Sequence, residues 1–262
     1  MYHYLTLYSA NCIILGLHSY HWPLAAQIPH SLHKYSYILL LLFIAVWSNA
    51  NGQALADSAT PTSIEKERNL YGQNKTIPAV CEKEVLAALA HFPELEKTHV
   101  TFKLQSSHST LKTKINFWSI LNRRDRRKYT VIISTKSEPK LEPLLFNNLP
   151  EQARIGILGH ELSHVSDFSK KSFFQCMGVG LGHLSQSYLD SLEFHTDKLC
   201  IQHGLGPQLR AWSSFIRETM KVENWRGSDF ADKPESKIER YMNPSTIDKE
   251  MAAMQRSKGS QP

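Results

Sequence analysis

Apolar residues along this chain follow two different periods, and each period predicts a different kind of element. Between Ile77 and His91 they recur at the three-to-four-residue spacing of an amphipathic helix. Three short strand-like runs then follow, and the last of them is rich in β-branched residues. Helical spacing returns near residue 150 and recurs in later segments. The predicted helices are 77–91, 150–168, 183–203, 206–220 and 244–254, and the predicted strands are 100–104, 111–117 and 129–135.

The helix predicted at 150–168 carries the string His160-Glu161-Leu162-Ser163-His164, an H-E-x-x-H motif. Pro150 with Asn148 nearby is typical of a helix start, and the polar and basic residues 167–171 are typical of a helix end. Positions i and i+4 lie on one helical face, so two imidazoles can bind one metal ion with Glu161 beside them. The pattern predicts the zinc site of a hydrolase.

A catalytic zinc ion usually has three protein ligands and one open position, so a third ligand is required. The helix predicted at 183–203 offers Glu193 and Asp197, which lie one turn apart on the same face. We predict that Glu193 binds the metal and that Asp197 accepts the free N–H of His160, which fixes the tautomer of that imidazole. His195 is the rival third ligand, but it lies about 200° around the helix from Glu193.

H-E-x-x-H followed by E-x-x-x-D on a later helix resembles the gluzincin metallopeptidases, and the run from Ser191 to Lys198 is most similar to the M48 family. This chain has Thr196 where the family commonly has alanine, and Lys198 where it commonly has arginine. A weaker similarity lies at Lys233-Pro234 and Arg240, since the family often has His-Pro followed by arginine. The resemblance implies an α+β, zincin-like fold, in which a small β-sheet packs on the H-E-x-x-H helix and a second helix carries the remaining ligand.

The resemblance also implies an exported, soluble endopeptidase that hydrolyses peptide bonds with one Zn²⁺ per chain. The implied ligands are His160, His164 and Glu193, and Glu161 is the general base toward a zinc-activated water. The reaction also needs a group that stabilises the oxyanion. The sequence leaves four candidates open, of which the first has the best family support: Arg240, Tyr241, His203 and Tyr188.

The first 56 residues differ in kind from the rest. An almost purely apolar run from Ile38 to Trp47 follows Lys34 and precedes Ala54-Leu55-Ala56, which is the layout of a secretory signal peptide. We expect a cleaved signal segment at 1–56 and a periplasmic or secreted protein; the alternative is a chain anchored to the membrane by the uncleaved segment. The other expected domains are a flexible lead-in at 57–77, a catalytic core at 78–225 and a C-terminal helical tail at 226–262.

Length and charge agree with this organisation. The chain has 262 residues and a net charge of +6, which suit one globular domain with a sizeable core. Much of the positive charge lies between Arg123 and Lys128, which we interpret as a solvated connection between two strands, with no nucleic-acid partner. The glycines at 178–182 lack the lysine of a phosphate loop, so no nucleotide is expected, and a flexible flap beside the cleft is predicted at 169–182.

Three cysteines follow the signal segment, so at most one disulfide can join them. Cys176 and Cys200 flank the same predicted helix and are one candidate pair. Cys200 also lies seven residues after Glu193 on the same helical face, so it can instead be a buried thiol beneath the metal site. The pairing among Cys81, Cys176 and Cys200 stays open.

The predicted partner is a peptide or protein substrate, and one of the predicted strands is expected to be the sheet edge that binds it in extended form. Two other interpretations stay open. One is a non-proteolytic metal-binding or chaperone-like protein on a metallopeptidase fold, but a structural metal needs no base such as Glu161. The other is a chance H-E-x-x-H, against which the pair of Glu193 and Asp197 argues. Neither the cleavage specificity nor the oligomeric state follows from the sequence.

Overall fold

The helices and strands of this chain come from a computed structural model that describes residues 62–222 and 239–259. The helices are α1 (Ser63–Tyr71), α2 (Glu82–Leu89), α3 (Glu151–Lys170), α4 (Phe173–Gly182), α5 (Gln186–Cys200), α6 (Gly206–Met220) and α7 (Pro244–Gly259). The strands are β1 (Lys75–Thr76), β2 (His99–Gln105), β3 (Leu111–Ile115) and β4 (Lys128–Ser134). This part of the chain is a mixed α+β fold, as predicted.

The four strands form one mixed sheet in the order β1-β2-β4-β3. β1 pairs parallel with β2 and β2 parallel with β4, whereas β3 pairs antiparallel with β4 and forms an edge. β4 is mostly buried, which its β-branched sequence from Thr130 to Ile133 favours. The three predicted strands are confirmed, although Phe117 begins a 3₁₀ turn, Phe117–Leu121, instead of ending β3. The basic run from Arg123 connects β3 to β4, as predicted, but Arg127 within it is buried and not solvated.

Helix α3 is buried on nearly every side. It packs against α6, α2 and α5, and it also contacts β3. Its sequence is apolar on several faces, and a helix of that kind is expected to be enclosed. Glycine allows the closest approach, because a Cβ at Gly156 would lie 2.2 Å from the backbone oxygen of Gln208 in α6.

The start of α3 is held differently from the sequence expectation. The side chain of Asn148 does not cap the helix and instead donates a hydrogen bond to the carbonyl of Glu142, at 2.9 Å. Arg154 fixes this end: its Nε donates to the Leu149 carbonyl at 2.8 Å, and its Nη1 pairs with Glu84 on α2 at 3.0 Å. The first turn of α3 is therefore fastened to α2 by an ion pair.

Two segments that the sequence pattern assigned to flexible chain are helical. The lead-in expected at 57–77 contains α1 and β1, so a flexible lead-in is wrong for residues 63–76. The flap expected at 169–182 contains α4, which begins with a capping box formed by Ser172 and Gln175. Glycines lower the helix propensity of α4, and they concealed the helix in the sequence.

A wide helical turn at Ile201–Leu205 joins α5 to α6. Gly204 in this turn has a φ of +85°, a left-handed conformation that glycine adopts without a Cβ penalty. The neighbouring His203 carbonyl contacts the His91 imidazole, with 2.8 Å between the oxygen and Nδ1. The chain kinks at this turn, and α5 and α6 both pack against α3.

Several predictions concern residues outside the described ranges. They include the signal segment at 1–56, the part of the tail at 226–238, and the Lys233-Pro234 pair. Within the described ranges, none of the helices is both long enough and apolar enough to cross a membrane.

We expect Gly156→Ala to destabilise the fold by about 1–3 kcal/mol, because the added methyl group meets the backbone of α6, which cannot move aside as a side chain can. Gly178→Ala in α4 is the matched control. A Cβ there meets nothing within 4 Å, and alanine is the better helix former by about 1 kcal/mol. Urea unfolding followed by circular dichroism measures both. Equal stability of Gly156→Ala and wild type would contradict the close packing of α3 on α6.

Candidate metal centre

His160 and His164 lie one turn apart on α3, on the face that α5 covers, and both are buried. Their rings meet edge to face, with centroids 4.9 Å apart. The i, i+4 spacing within one helix accounts for this arrangement. The two imidazoles of the motif are thus presented together toward the helix that carries the other predicted ligand.

Glu193 on α5 completes a three-residue cluster with these histidines. Its Oε2 lies 3.0 Å from His160 Nε2 and 3.3 Å from His164 Nε2. Donor atoms in a tetrahedral zinc site, with bonds of about 2.0–2.1 Å, are about 3.3 Å apart, so these separations fit one ion. One donor atom from each residue lies within 4.8 Å of the other two, so the cluster could bind a metal ion. His195, the rival ligand, is exposed and lies outside the cluster.

Asp197 holds His160 in its orientation. Its Oδ1 accepts a hydrogen bond from His160 Nδ1 at 2.7 Å, which is the contact predicted from the sequence. Its Oδ2 accepts a second hydrogen bond from the backbone N–H of Met242, also at 2.7 Å. With Nδ1 engaged in this way, His160 Nε2 is the nitrogen that faces Glu193.

Thr196 gives His164 a corresponding partner that the sequence analysis missed. Its hydroxyl oxygen lies 3.2 Å from His164 Nδ1, and the hydroxyl donates to the carbonyl of Leu192 at 2.9 Å. Because the hydroxyl proton is engaged, its oxygen accepts the Nδ1–H of His164 and leaves the Nε2 lone pair for a metal. The sequence held one indication of this contact, because residue 196 is a threonine where the M48 family commonly has alanine.

Glu161 carries a buried carboxylate oxygen, Oε2, that has no hydrogen-bond partner among the described residues. An unpaired buried polar atom costs about 1–3 kcal/mol, so each one calls for an explanation, such as a catalytic role or an ion. The backbone of Glu161 is fixed by Thr113 on β3, whose hydroxyl donates to the Glu161 carbonyl at 3.0 Å. The edge strand therefore lies directly against the part of α3 that carries the motif.

The groups of the cluster perturb one another's protonation. Burial alone would lower the pKa of His160, but hydrogen bonds to Asp197 and Glu193 outweigh burial and raise that pKa well above its usual value. Burial alone would raise the pKa of Glu193, but the two imidazoles outweigh it and hold that pKa far below its usual range. Without a metal, the favoured state is a protonated His160 beside an ionised Glu193. A cation at this place would replace the Nε2 proton.

Aromatic rings enclose the two imidazoles. Trp212 on α6 lies 5.8 Å from the ring centroid of His160, and Tyr241 lies 5.7 Å from it. Phe168 stacks on His164 at 5.8 Å. Burial, together with the nearby charges of Glu193 and Glu161, raises the pKa of Tyr241 well above its usual value. Its hydroxyl therefore keeps its proton at neutral pH and can act as a hydrogen-bond donor.

The oxyanion candidates lie in different surroundings. Arg240, which has the best family support, donates from Nε to Asp190 at 2.5 Å and from Nη2 to Gln186 at 2.6 Å. Its guanidinium is therefore engaged with the first turns of α5. Tyr241 is adjacent to His160, and the centroids of the two rings are 5.7 Å apart.

Of the other two oxyanion candidates, His203 is the one whose contacts point away from the cluster. His203 stacks on Phe92, its Nε2 contacts Glu94 at 2.8 Å, and its Nδ1 contacts the Leu199 carbonyl at 2.8 Å. Both nitrogens of His203 are therefore engaged away from the cluster. Burial and the charge of Asp167 raise the pKa of Tyr188, which packs against the core.

All three cysteines in the described residues are buried free thiols, so the candidate disulfide between Cys176 and Cys200 does not form. Cys176 faces Arg127, whose Nη1 lies 3.6 Å from its sulfur. Cys200 instead faces α3, since a Cβ at Gly159 would lie 3.0 Å from its sulfur. Burial and the charge of Asp197 raise the pKa of Cys200 well above its usual value. This agrees with the alternative prediction of a buried thiol beneath the site.

Comparisons of this chain with protein-family models, with curated proteins and with solved structures find no match. The resemblance to the M48 peptidases rests on the residues quoted for it, and the family assignment stays a prediction.

We expect Thr196→Val to weaken Zn²⁺ binding by about 10-fold to 100-fold, because valine fills a similar space but leaves the His164 Nδ1–H without an acceptor. Thr196→Ser keeps the hydroxyl and is the matched control, with an affinity close to that of wild type. Competition with a chromogenic chelator measures both affinities. Equal losses in the two variants would mean that the hydroxyl does not orient His164.

Proposed function

We propose that this protein is a zinc endopeptidase with a zincin-like fold, of the gluzincin type and most similar to the M48 family. The observation that carries the proposal is a buried, unpaired oxygen on Glu161, the residue that follows His160, together with three converging donors on His160, His164 and Glu193. A structural zinc site prefers four protein ligands and needs no base. Three ligands with an adjacent carboxylate are typical of a catalytic site in an H-E-x-x-H hydrolase.

A bound zinc ion would polarise the substrate carbonyl and lower the pKa of water. The residues of the chain do the remaining work. Glu161 takes a proton from the attacking water and passes it to the leaving amine. Thr113 supports this role because it fixes the Glu161 backbone. Asp197 and Thr196 keep the two imidazoles in the tautomer that binds metal.

Tyr241 is the group that we propose to stabilise the oxyanion. It is adjacent to His160, and the charges of Glu193 and Glu161 act on its hydroxyl. A phenol that stays protonated can donate a hydrogen bond to the oxygen on which charge develops. Arg240, the candidate favoured by family resemblance, is engaged with Asp190 and is assigned the role of holding this segment on α5.

The substrate is proposed to bind along β3 as an added strand. In the antiparallel pair of β3 and β4, the backbone N–H of Ser134 donates to Thr110, and that of Asn116 donates to Lys128. Hydrogen-bonded and non-hydrogen-bonded pairs alternate along such a ladder, so the N–H and C=O groups of Leu111, Thr113 and Ile115 are directed to the open edge. These groups can pair with an extended peptide beside Glu161.

The cellular location in this proposal comes from the sequence of residues 1–56, which favours a periplasmic or secreted protein. An uncleaved segment would anchor the chain to the membrane instead. The proposed partner is a peptide or protein substrate, and neither nucleic acid nor nucleotide is expected.

Glu161→Gln is the variant that tests the proposal. We expect wild type and variant each to hold one zinc ion per chain, because residue 161 is not a ligand, and cleavage of casein to fall by about 10²–10⁴ in the variant. Glu142→Gln, a substitution at an exposed position, is the matched control and should cleave as wild type does. Zinc content is measured by inductively coupled plasma mass spectrometry, and cleavage is measured by the release of labelled casein fragments.

The outcomes of this experiment separate the candidate functions. A wild-type protein without stoichiometric zinc would overturn the metal site and the enzyme together. Zinc without cleavage of casein or of a peptide library would favour the non-proteolytic metal-binding protein. Cleavage that survives Glu161→Gln would overturn the role of Glu161 as the base.

We expect Tyr241→Phe to lower kcat by about 10²–10³ with zinc content unchanged, because the ring that packs on His160 is kept and only the donor is lost. Tyr71→Phe, at the end of α1 and outside the candidate set, is the matched control. Steady-state kinetics with one fluorogenic peptide measures both. A larger loss of kcat in Arg240→Gln, at full zinc content and stability, would return the role to Arg240.

A further inference from the structure

An exposed apolar surface lies beside α4, and the proposed activity does not use it. We define the apolar rim as six side chains from the 3₁₀ turn after β3, from α4 and from the residues that follow α4. Each is between 64 % and 88 % exposed: Phe117, Trp118, Leu121, Phe174, Leu181 and Leu184. Single exposed apolar residues are ordinary, but a contiguous group of large ones marks an interaction site.

Helix α4 is apolar on both of its faces. Residues 173–182 include no charged side chain. Cys176 and Val179 are buried against the rest of the fold, whereas Phe174, Met177 and Leu181, at positions i, i+3 and i+7, are exposed. A helix that is hydrophobic all round is normally enclosed. The outer face of α4 is therefore suited to contact with an apolar partner or an apolar phase outside the fold.

The buried Arg127 fixes α4 to the end of α3. Its Nη1 donates to the carbonyls of Lys171 at 2.7 Å and Phe168 at 3.3 Å, at the end of α3, and it also contacts Cys176 in α4. The turn Phe117–Leu121 contacts α4 directly. The rim is thus one surface supported by the fold.

Positive charge lies next to the rim in the chain. Arg123, Arg124, Arg126 and Lys128 are exposed immediately after Leu121. The one acid among them is Asp125, which lies 3.4 Å from Arg123. Surfaces that lie in a membrane interface typically combine aromatic and leucine side chains with neighbouring cations. The rings insert below the lipid headgroups, and the cations contact the phosphates.

We propose that the apolar rim and the basic run dock this protein on a bilayer that contains anionic phospholipids. Charge complementarity selects this occupant. A second copy of the chain on this surface would bring two basic runs together, and a purely apolar peptide would leave the cations without partners. Docking here is independent of the metal centre, and it would hold the edge strand β3 next to the membrane surface, because the turn follows β3 directly.

Vesicle sedimentation with the full chain tests the proposal. Wild type should bind vesicles of equal parts phosphatidylcholine and phosphatidylglycerol much more tightly than vesicles of phosphatidylcholine alone, and less tightly as salt rises. Arg124→Gln combined with Arg126→Gln should weaken binding by about 25-fold, at about fivefold per cation. Lys66→Gln combined with Lys97→Gln removes the same charge from exposed positions elsewhere and should change binding little.

The apolar rim is tested in the same way. Phe174→Ser combined with Leu181→Ser should weaken binding about tenfold or more. Leu70→Ser combined with Val80→Ser, at two exposed apolar positions elsewhere, is the matched control. Acyl-brominated lipids should quench wild-type tryptophan fluorescence more than that of Trp118→Phe, which keeps an aromatic ring and should still bind.

Three results would overturn the proposal. The first is equal binding to neutral and anionic vesicles. The second is equal binding by the rim variants and their matched controls, which would place any membrane affinity in the apolar segment 38–47. The third is an absence of vesicle binding by wild type together with a raised KM for unfolded casein in the rim variants, which would assign the surface to a polypeptide.

Discussion

The carboxylate of Asp197 joins three parts of the chain that are distant in sequence, and the geometry of the site depends on it. It belongs to α5, it accepts from His160 on α3, and it accepts from the backbone N–H of Met242. Because Asp197 is almost completely buried, its charge needs both donors to offset the loss of hydration. Removal of either donor would leave the buried charge with only one hydrogen bond, so the orientation of His160 and the position of the C-terminal segment are coupled through one side chain.

The helix that carries the candidate chemistry is also the helix around which the described residues pack. Helices α2, α5 and α6 and strand β3 all contact α3. This arrangement puts imidazoles and carboxylates in apolar surroundings, where electrostatic interactions are stronger than in water and unpaired polar atoms are costly. Most polar groups of the site meet that requirement with a specific partner: Asp197 for His160 and Thr196 for His164. Glu161 Oε2 is the exception, and the proposed function gives it a use.

Local patterns predicted much of this arrangement. The helix carrying His160 and His164, the three strands and the pairing of Asp197 with His160 all followed from periodicity or from i, i+4 spacing, which depend on few neighbouring residues. The role of Thr196 did not follow from the sequence. A hydroxyl next to Asp197 does not indicate a contact with His164 until the position of α5 relative to α3 is known. Helix α4 was missed because its glycines lower helix propensity, and its capping box at Ser172 and Gln175 was not recognised in the sequence. The candidate pairing of Cys176 with Cys200 failed for a similar reason, since flanking one helix says nothing about the direction in which each thiol faces.

The sequence by itself determined which side chains share a helical face, and therefore which residues offer a metal ligand set and a base. Each of those relations is set by the pitch of a single helix, α3 for the two histidines and α5 for Glu193 and Asp197, whereas the meeting of the two faces depends on packing. Only the tertiary structure decided that Tyr241 lies against His160 while Arg240 is engaged with Asp190, that β3 is the edge beside Glu161, and that the outer face of α4 stays exposed. These features depend on distances between elements far apart in the chain. Such distances are set by the close packing of side chains across those elements, which no local pattern contains.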